Sequence, residues 1–192
     1  MSALADDRKI DEAAQTLTVE AFFDWIEHRE ERFELVEGVV RMLPNVRRNH
    51  STIVGNLDHA LQTRIDRTAL RVRQGDFAIQ TGPSSIRYAD ILIEPAGGEG
   101  RGRRTDHAIF IAEVLSESTT HLDFGEKRLE YFDLPSLRTY LIIAQDRPVV
   151  WHWTRSAEGS WPEEPRIIEE GPIQIVEPEI AFDLSELYLD VS

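Results

Sequence analysis

Residues 108–115 read Ala-Ile-Phe-Ile-Ala-Glu-Val-Leu, an apolar run interrupted once, by Glu113. A run of that kind, too short for a helix and unbroken by alternation, predicts a central strand buried on both faces. A second such segment precedes it, Tyr88-Ala89-Asp90-Ile91-Leu92-Ile93, again with one acid in an apolar strand. Burying an ionised carboxylate without a partner costs several kcal/mol, on the order of the penalty for an unpaired buried ion. Each acid therefore sits at a strand end, pairs with a cation, or binds a metal. If the two strands are neighbours, their carboxylates meet, and a divalent cation or an arginine resolves the repulsion.

The other elements follow outward from that pair. Thr18 is an N-cap and Phe22, Phe23 and Ile26 follow at helical spacing, predicting a helix over 19–28. Residues 32–43 form a hairpin turning at Glu37-Gly38. Ile53, Leu57, Leu61 and Ile65 recur every four residues and predict a long amphipathic helix over 50–66. Strands are expected over 70–80 and 85–94, joined at Gly82-Pro83, with a Gly/Arg-rich loop over 95–104. After the 108–115 strand, cap residues over 116–120 lead into a helix over 122–132. Strands over 139–144 and 149–154 are joined at Asp146-Arg147-Pro148. One or two short strands lie within 167–176, and a helix capped by Asp183 closes the chain. The order predicts an α/β (α+β) domain with a mixed sheet flanked by helices.

Length and composition set bounds. A chain of 192 residues with 41% apolar side chains buries an adequate core as one domain. It has no cysteine, which removes disulfides, zinc–thiolate sites and thiol nucleophiles. A flexible segment over 1–17, a single domain over 18–192, no signal or membrane segment and a cytoplasmic location are expected. The net charge of -14 is uneven: -7 over residues 1–40, +4 over 41–110, -3 over 111–150 and -8 over 151–192. That balance argues against tight nonspecific binding to nucleic acid but leaves a local basic face in the middle of the chain.

Other residues with chemistry cluster near the two acids in sequence order. Only Lys9 and Lys127 are lysine among 21 basic residues, so Lys127 stands out where arginine is the default. Asp123 and Lys127 are four apart and share a helix face, either as a surface ion pair or as part of a site. Tyr131 extends that face as ordinary packing. His50 opens the long helix as a cap, a surface residue or a site group, and Glu34 either points into the same cleft or is an exposed strand carboxylate. Ser116, Ser118 and Thr119 read as helix caps, and no Ser-His-Asp pattern surrounds them.

Taken together, Phe33-Glu34-Leu35-Val36-Glu37-Gly38, His50 at a helix start, Ala89-Asp90-Ile91, Glu113-Val114-Leu115-Ser116-Glu117-Ser118-Thr119, then Asp123, Lys127, Tyr131 and Thr139-Tyr140-Leu141-Ile142 occur in an order that resembles the Uma-two family. That family carries the description "putative restriction endonuclease" and belongs to the PD-(D/E)xK nuclease-like superfamily. The resemblance covers roughly residues 18–190. It implies a restriction-endonuclease-like mixed sheet flanked by helices, with the acids on a central hairpin. It implies Asp90 and Glu113 as ligands of Mg²⁺ or Mn²⁺ and a DNA-hydrolysing endonuclease activity. The superfamily's usual lysine, two residues after the second acid, is Leu115 here, which makes Lys127 of the next helix the candidate. Asp123 would hold Lys127, and His50 and Glu34 match family positions near the cleft. The usual proline before the first acid is Ala89. A nuclease fold without cleavage, serving as a binding or regulatory module, is the alternative expectation, and a homodimer through an exposed strand or the hairpin after Pro135 is a third.

Overall fold

The computed structural model describes residues 16–98, 100–115 and 124–192. Helix α1 (Val19–Ile26) starts at Thr18, whose hydroxyl accepts the Ala21 N–H at 3.2 Å. It ends two residues before the expected limit. Strands β1 (Phe33–Val36) and β2 (Val39–Met42) form the expected hairpin. Its turn has φ +51° at Glu37 and +83° at Gly38, the two positive values a two-residue type I′ turn needs. Helix α2 (Arg48–Gln62) begins two residues earlier than the hydrophobic repeat suggests and buries His50, Ile53, Leu57, Ala60 and Leu61.

The long strands expected over 70–80 and 85–94 are each broken in two. Strands β3 (Leu70–Gln74) and β6 (Ile91–Pro95) belong to one sheet, whereas β4 (Ala78–Gly82) and β5 (Ser85–Arg87) belong to another. The chain crosses between sheets at Gly75-Asp76 and at Tyr88-Ala89, where Gly75 N–H donates to Asp90 O at 3.1 Å. Apolar content carried no mark of that crossing, because apolar residues such as Leu70, Val72, Ile79, Ile86 and Ile91 stand on both sides of it.

The remaining strands are β7 (Arg104–Thr105), β8 (Phe110–Val114), β9 (Thr139–Ile143), β10 (Val150–Thr154), β11 (Arg166–Ile168), β12 (Pro172–Val176) and β13 (Glu179–Asp183). Helix α3 (Glu126–Phe132) follows β8, and α4 (Leu184–Leu187) ends the fold behind a capping box of Asp183 and Glu186. One sheet runs β2-β1-β5-β4-β7, a second runs β11-β10-β9-β8-β6-β3, and β12 pairs with β13. The larger sheet is mixed, with β8 antiparallel to β6 and parallel to β9. Every residue of β8 is buried, as its apolar run requires.

Alternation along β8 sends its side chains to two cores. Phe110, Ala112 and Val114 pack with Ile53, Leu57 and Leu61 of α2. Ile111 and Leu115 pack with Tyr131, Tyr140 and Trp153 on the opposite face. Removing a side chain such as Leu57 or Ile111 from either layer would cost about 2–5 kcal/mol. Helix α1 covers the smaller sheet, with Phe22 packing in one cluster with Leu35 of β1 and Ile86 of β5. Among the described residues, no helix is long and apolar enough to cross a membrane.

Candidate active site

The antiparallel register of β6 and β8 ends at Ile91 opposite Ala112. One step further, Asp90 and Glu113 face each other, and there side chains replace the backbone ladder. Asp90 N–H donates to Glu113 Oε2 at 3.3 Å, and Val114 N–H donates to Asp90 Oδ2 at 2.7 Å. The two acids thus satisfy peptide groups that the parting strands would otherwise leave unpaired.

Three further elements reach this point. Helix α2, over one face, brings His50 Nε2 to 3.0 Å from Asp90 Oδ2. Helix α3, over the other face, brings Lys127 Nζ and Tyr131 OH to Glu113 Oε1 at 3.1 and 2.9 Å. Lys127 and Tyr131 are four apart and so project together. Helix α3 has no side-chain N-cap bond and is seven residues long, so packing holds it. Phe132 stacks on Trp161 at 4.1 Å, and the Trp161 indole N–H donates to Phe132 O at 3.0 Å. Strand β1 supplies Glu34, which lies 3.5 Å from Lys127 Nζ and accepts the Tyr88 N–H at 3.1 Å.

Glu34 is held in turn by Arg87. The guanidinium is fully buried, 2.9 Å from Glu34 Oε2, and forks onto Glu130 at 2.9 and 2.5 Å. Burial works against the charge on Arg87, but the hydrogen bonds to Glu130 and the field of Glu34 outweigh it and raise its pKa. Burial also pushes Glu130 up, yet the bonds from Arg87 and Thr81 bring it below its usual value. Burial, followed by the Glu113 charge, lifts Tyr131 well above the ordinary phenol range, so it remains a donor.

The sequence-expected residues Glu34, His50, Asp90, Glu113 and Lys127 are therefore brought together, and all but Asp90 are nearly inaccessible. Asp123 lies outside the described residues, as do Ser116, Ser118 and Thr119. Of the three readings open for His50, the structure shows a buried side chain beside Asp90. One expectation needs correction. Tyr131 is more than packing, because its hydroxyl binds Glu113. Arg87 and Glu130 were not anticipated. Arg87 carried the signal that marked Asp90 and Glu113, a charge in an apolar strand beside Ile86. Glu130 lies one turn beyond Lys127 on α3, a position with no distinguishing mark in the sequence.

A cavity of about 50 Å³ opens onto the group, lined by His50, Tyr88, Asp90, Glu113 and Lys127 among others. That is space for about one or two waters. Among the described residues no cluster of three or more His, Asp or Glu side chains has the spacing of a metal cage. The donor set still fits Mg²⁺, which takes one or two carboxylates and completes its shell with water and substrate phosphate. Lys127 and Arg87 are shared among Glu34, Glu113, Glu126 and Glu130, and Asp90 faces His50, so a divalent cation at the Asp90–Glu113 pair adds positive charge where carboxylates predominate.

Fold and site together define a nuclease-like α+β protein built around paired strand acids and a helix lysine. The chain belongs to the family described as "Uma2: Putative restriction endonuclease", which matches residues 19–192. Uncharacterized protein sll1609 of Synechocystis sp. is 26% identical over 149 residues, 76% of this chain and 84% of that one. A crystal structure described as a putative nuclease belonging to DUF820, from Anabaena variabilis, superposes with a TM-score of 0.71 at 14% identity. The match covers 90% of this chain and 98% of that one, and at this identity it speaks to the fold.

Proposed function

We propose that the protein is a divalent-metal-dependent endonuclease that hydrolyses DNA phosphodiester bonds at Asp90, Glu113 and Lys127. The observation that carries the reading is the opposed pair Asp90–Glu113 with Lys127 Nζ 3.1 Å from Glu113. Asp90 and Glu113 would hold Mg²⁺ or Mn²⁺, and such an ion supplies Lewis acidity toward a phosphoryl oxygen and a more acidic bound water.

The chain's own residues do the rest. Asp90 is fixed by Val114 N–H and His50 through Oδ2, which leaves Oδ1 directed to other work. Tyr131 and Lys127 fix Glu113 through Oε1. Lys127, held between Glu113 and Glu34, presents an ammonium that stabilises negative charge gathering on phosphate oxygens or orients the attacking water. Asp123 is assigned a supporting role toward Lys127 from its spacing alone.

The test is cleavage of supercoiled and linear DNA with Mg²⁺ or Mn²⁺, wild type beside Lys127→Ala. Metal-dependent nicking by the wild type, lost in the variant, is expected. Equal nicking by both proteins would reject the assignment of Lys127. No nicking by the wild type, together with no Mg²⁺ or Mn²⁺ binding by calorimetry, would favour a nuclease fold that serves as a binding or regulatory module.

A further inference from the structure

Beside the acid site lies a larger groove of about 670 Å³, within the size range of small-molecule pockets. It is lined by Arg47, Arg48, Arg147, Phe124, Trp151 and the acid Asp146, among others. The two openings are neighbours in the fold. Val114 and His50 line the small cavity, whereas Leu115 and Asn49, the adjoining residues of the same two segments, line the groove.

The groove combines two properties. Its first is available positive charge. Arg41, Arg64, Arg73, Arg103, Arg104 and Arg138 all pair with a carboxylate. Arg48 and Arg147 are exposed and have no ion pair among the described residues. In a chain of net charge -14 these two guanidinium groups give the groove positive charge, beside the one acidic side chain, Asp146. The second is a half-buried indole. Trp151 projects from β10, and Phe124 sets against it edge-on with ring centroids 5.0 Å apart. An edge-to-face partner fixes the indole plane, and Trp151, only half-buried, keeps part of its ring open to the groove.

Cations beside an exposed aromatic ring are the elements of single-strand recognition, in which bases stack and phosphates meet arginine. A duplex offers no such ring, because each base face is covered by its neighbours in the stack. We propose that this groove holds an unpaired nucleotide of the substrate strand, its base against Trp151 and its phosphates against Arg48 and Arg147. The assignment rests on the nuclease reading for its substrate class. It names the preferred form as single-stranded or locally unpaired DNA.

The test is fluorescence anisotropy with a short fluorescein-labelled single strand and the matching duplex, in EDTA so that nothing is cut. The wild type binds the single strand more tightly than the duplex. Trp151→Ala weakens single-strand binding about 10-fold or more, the range of one lost base–aromatic stack, and Trp151→Phe keeps most of it. Arg147→Gln lowers affinity and reduces the salt dependence by about one phosphate contact, whereas Arg67→Gln, an exposed arginine outside the groove, does neither. Unchanged single-strand binding by Trp151→Ala overturns the proposal, as does equal binding of duplex and single strand or binding of neither. A shift of Trp151→Ala from dimer to monomer with unaltered DNA binding also overturns it, by making the groove a subunit contact. Failure of the nuclease reading is separate: no cleavage by the wild type with Trp151-dependent binding intact rejects hydrolysis and leaves the groove assigned.

Discussion

Arg87 and Glu34, 53 residues apart in the chain, form a 2.9 Å ion pair in which neither side chain reaches solvent. The pair ties the smaller sheet to the site, since Glu34 also faces Lys127. Removing one partner of a buried pair strands the other charge. Arg87→Met is expected to lose about 3–5 kcal/mol of stability, measured by urea denaturation. Glu34→Gln added to that variant should recover part of the loss, because it removes the most deeply buried of the carboxylates that the guanidinium faced. A double variant no more stable than Arg87→Met would deny that the penalty is electrostatic.

Lys127→Arg is the more informative lysine variant. Guanidinium keeps the charge but replaces a compact ammonium with a planar fork, in a position where Glu113 lies at 3.1 Å and Glu34 at 3.5 Å. Cleavage should fall by about two orders of magnitude, the usual scale for one electrostatic group aimed at a transition state. A rate within a few-fold of wild type would show that charge alone suffices there.

His152 gives the protein an acid-sensitive side chain remote from α3. Burial, with the Arg166 charge on the paired strand, depresses its pKa from 6.5 to about 4. Between those values the unfolded chain takes up a proton that the native state refuses, so stability falls as pH drops from about 6.5 toward 4. The full effect is on the order of 2–3 kcal/mol. His152→Gln should therefore have a flatter melting-temperature profile over that interval, and the gap between the two proteins should narrow on acidification. Parallel profiles would assign the acid response elsewhere.

Gly38 allows the first hairpin to close under the start of the described chain. Its φ is +83°, and an added Cβ would stand 2.6 Å from Thr16 Cβ. Gly38→Ala should cost about 2–4 kcal/mol, from the left-handed backbone and the clash together. Gly159, at φ +88° with open space around it, isolates the first contribution. Gly159→Ala should lose only about 1–2 kcal/mol. Equal losses by thermal melting would show that Thr16 simply moves aside.

Much of this was legible in the residues. The apolar run at 108–115 placed β8 in the centre, and an acid in each of two apolar strands marked Asp90 and Glu113. The scarcity of lysine marked Lys127. What sequence did not carry was the jump between sheets at Gly75 and at Tyr88, because apolar residues before and after the jump look alike. Nor could periodicity assign Tyr131 or Glu130. Both lie on α3, whose facing partners are set by strands far away in the chain. Arg87 was readable in principle, since a buried cation among Ser85 and Ile86 violates the same burial rule that exposed the acids.

The way β6 and β8 part has a bearing on descent. Val114 N–H needs an oxygen at position 90, whether or not that oxygen carries charge. An asparagine there supplies the acceptor and forfeits the anion. Under the proposed hydrolysis, a lineage that gave it up would accordingly drift from Asp90 toward Asn before it reached Ala. The letter at this position in descendants thus records the loss of chemistry separately from the loss of fold.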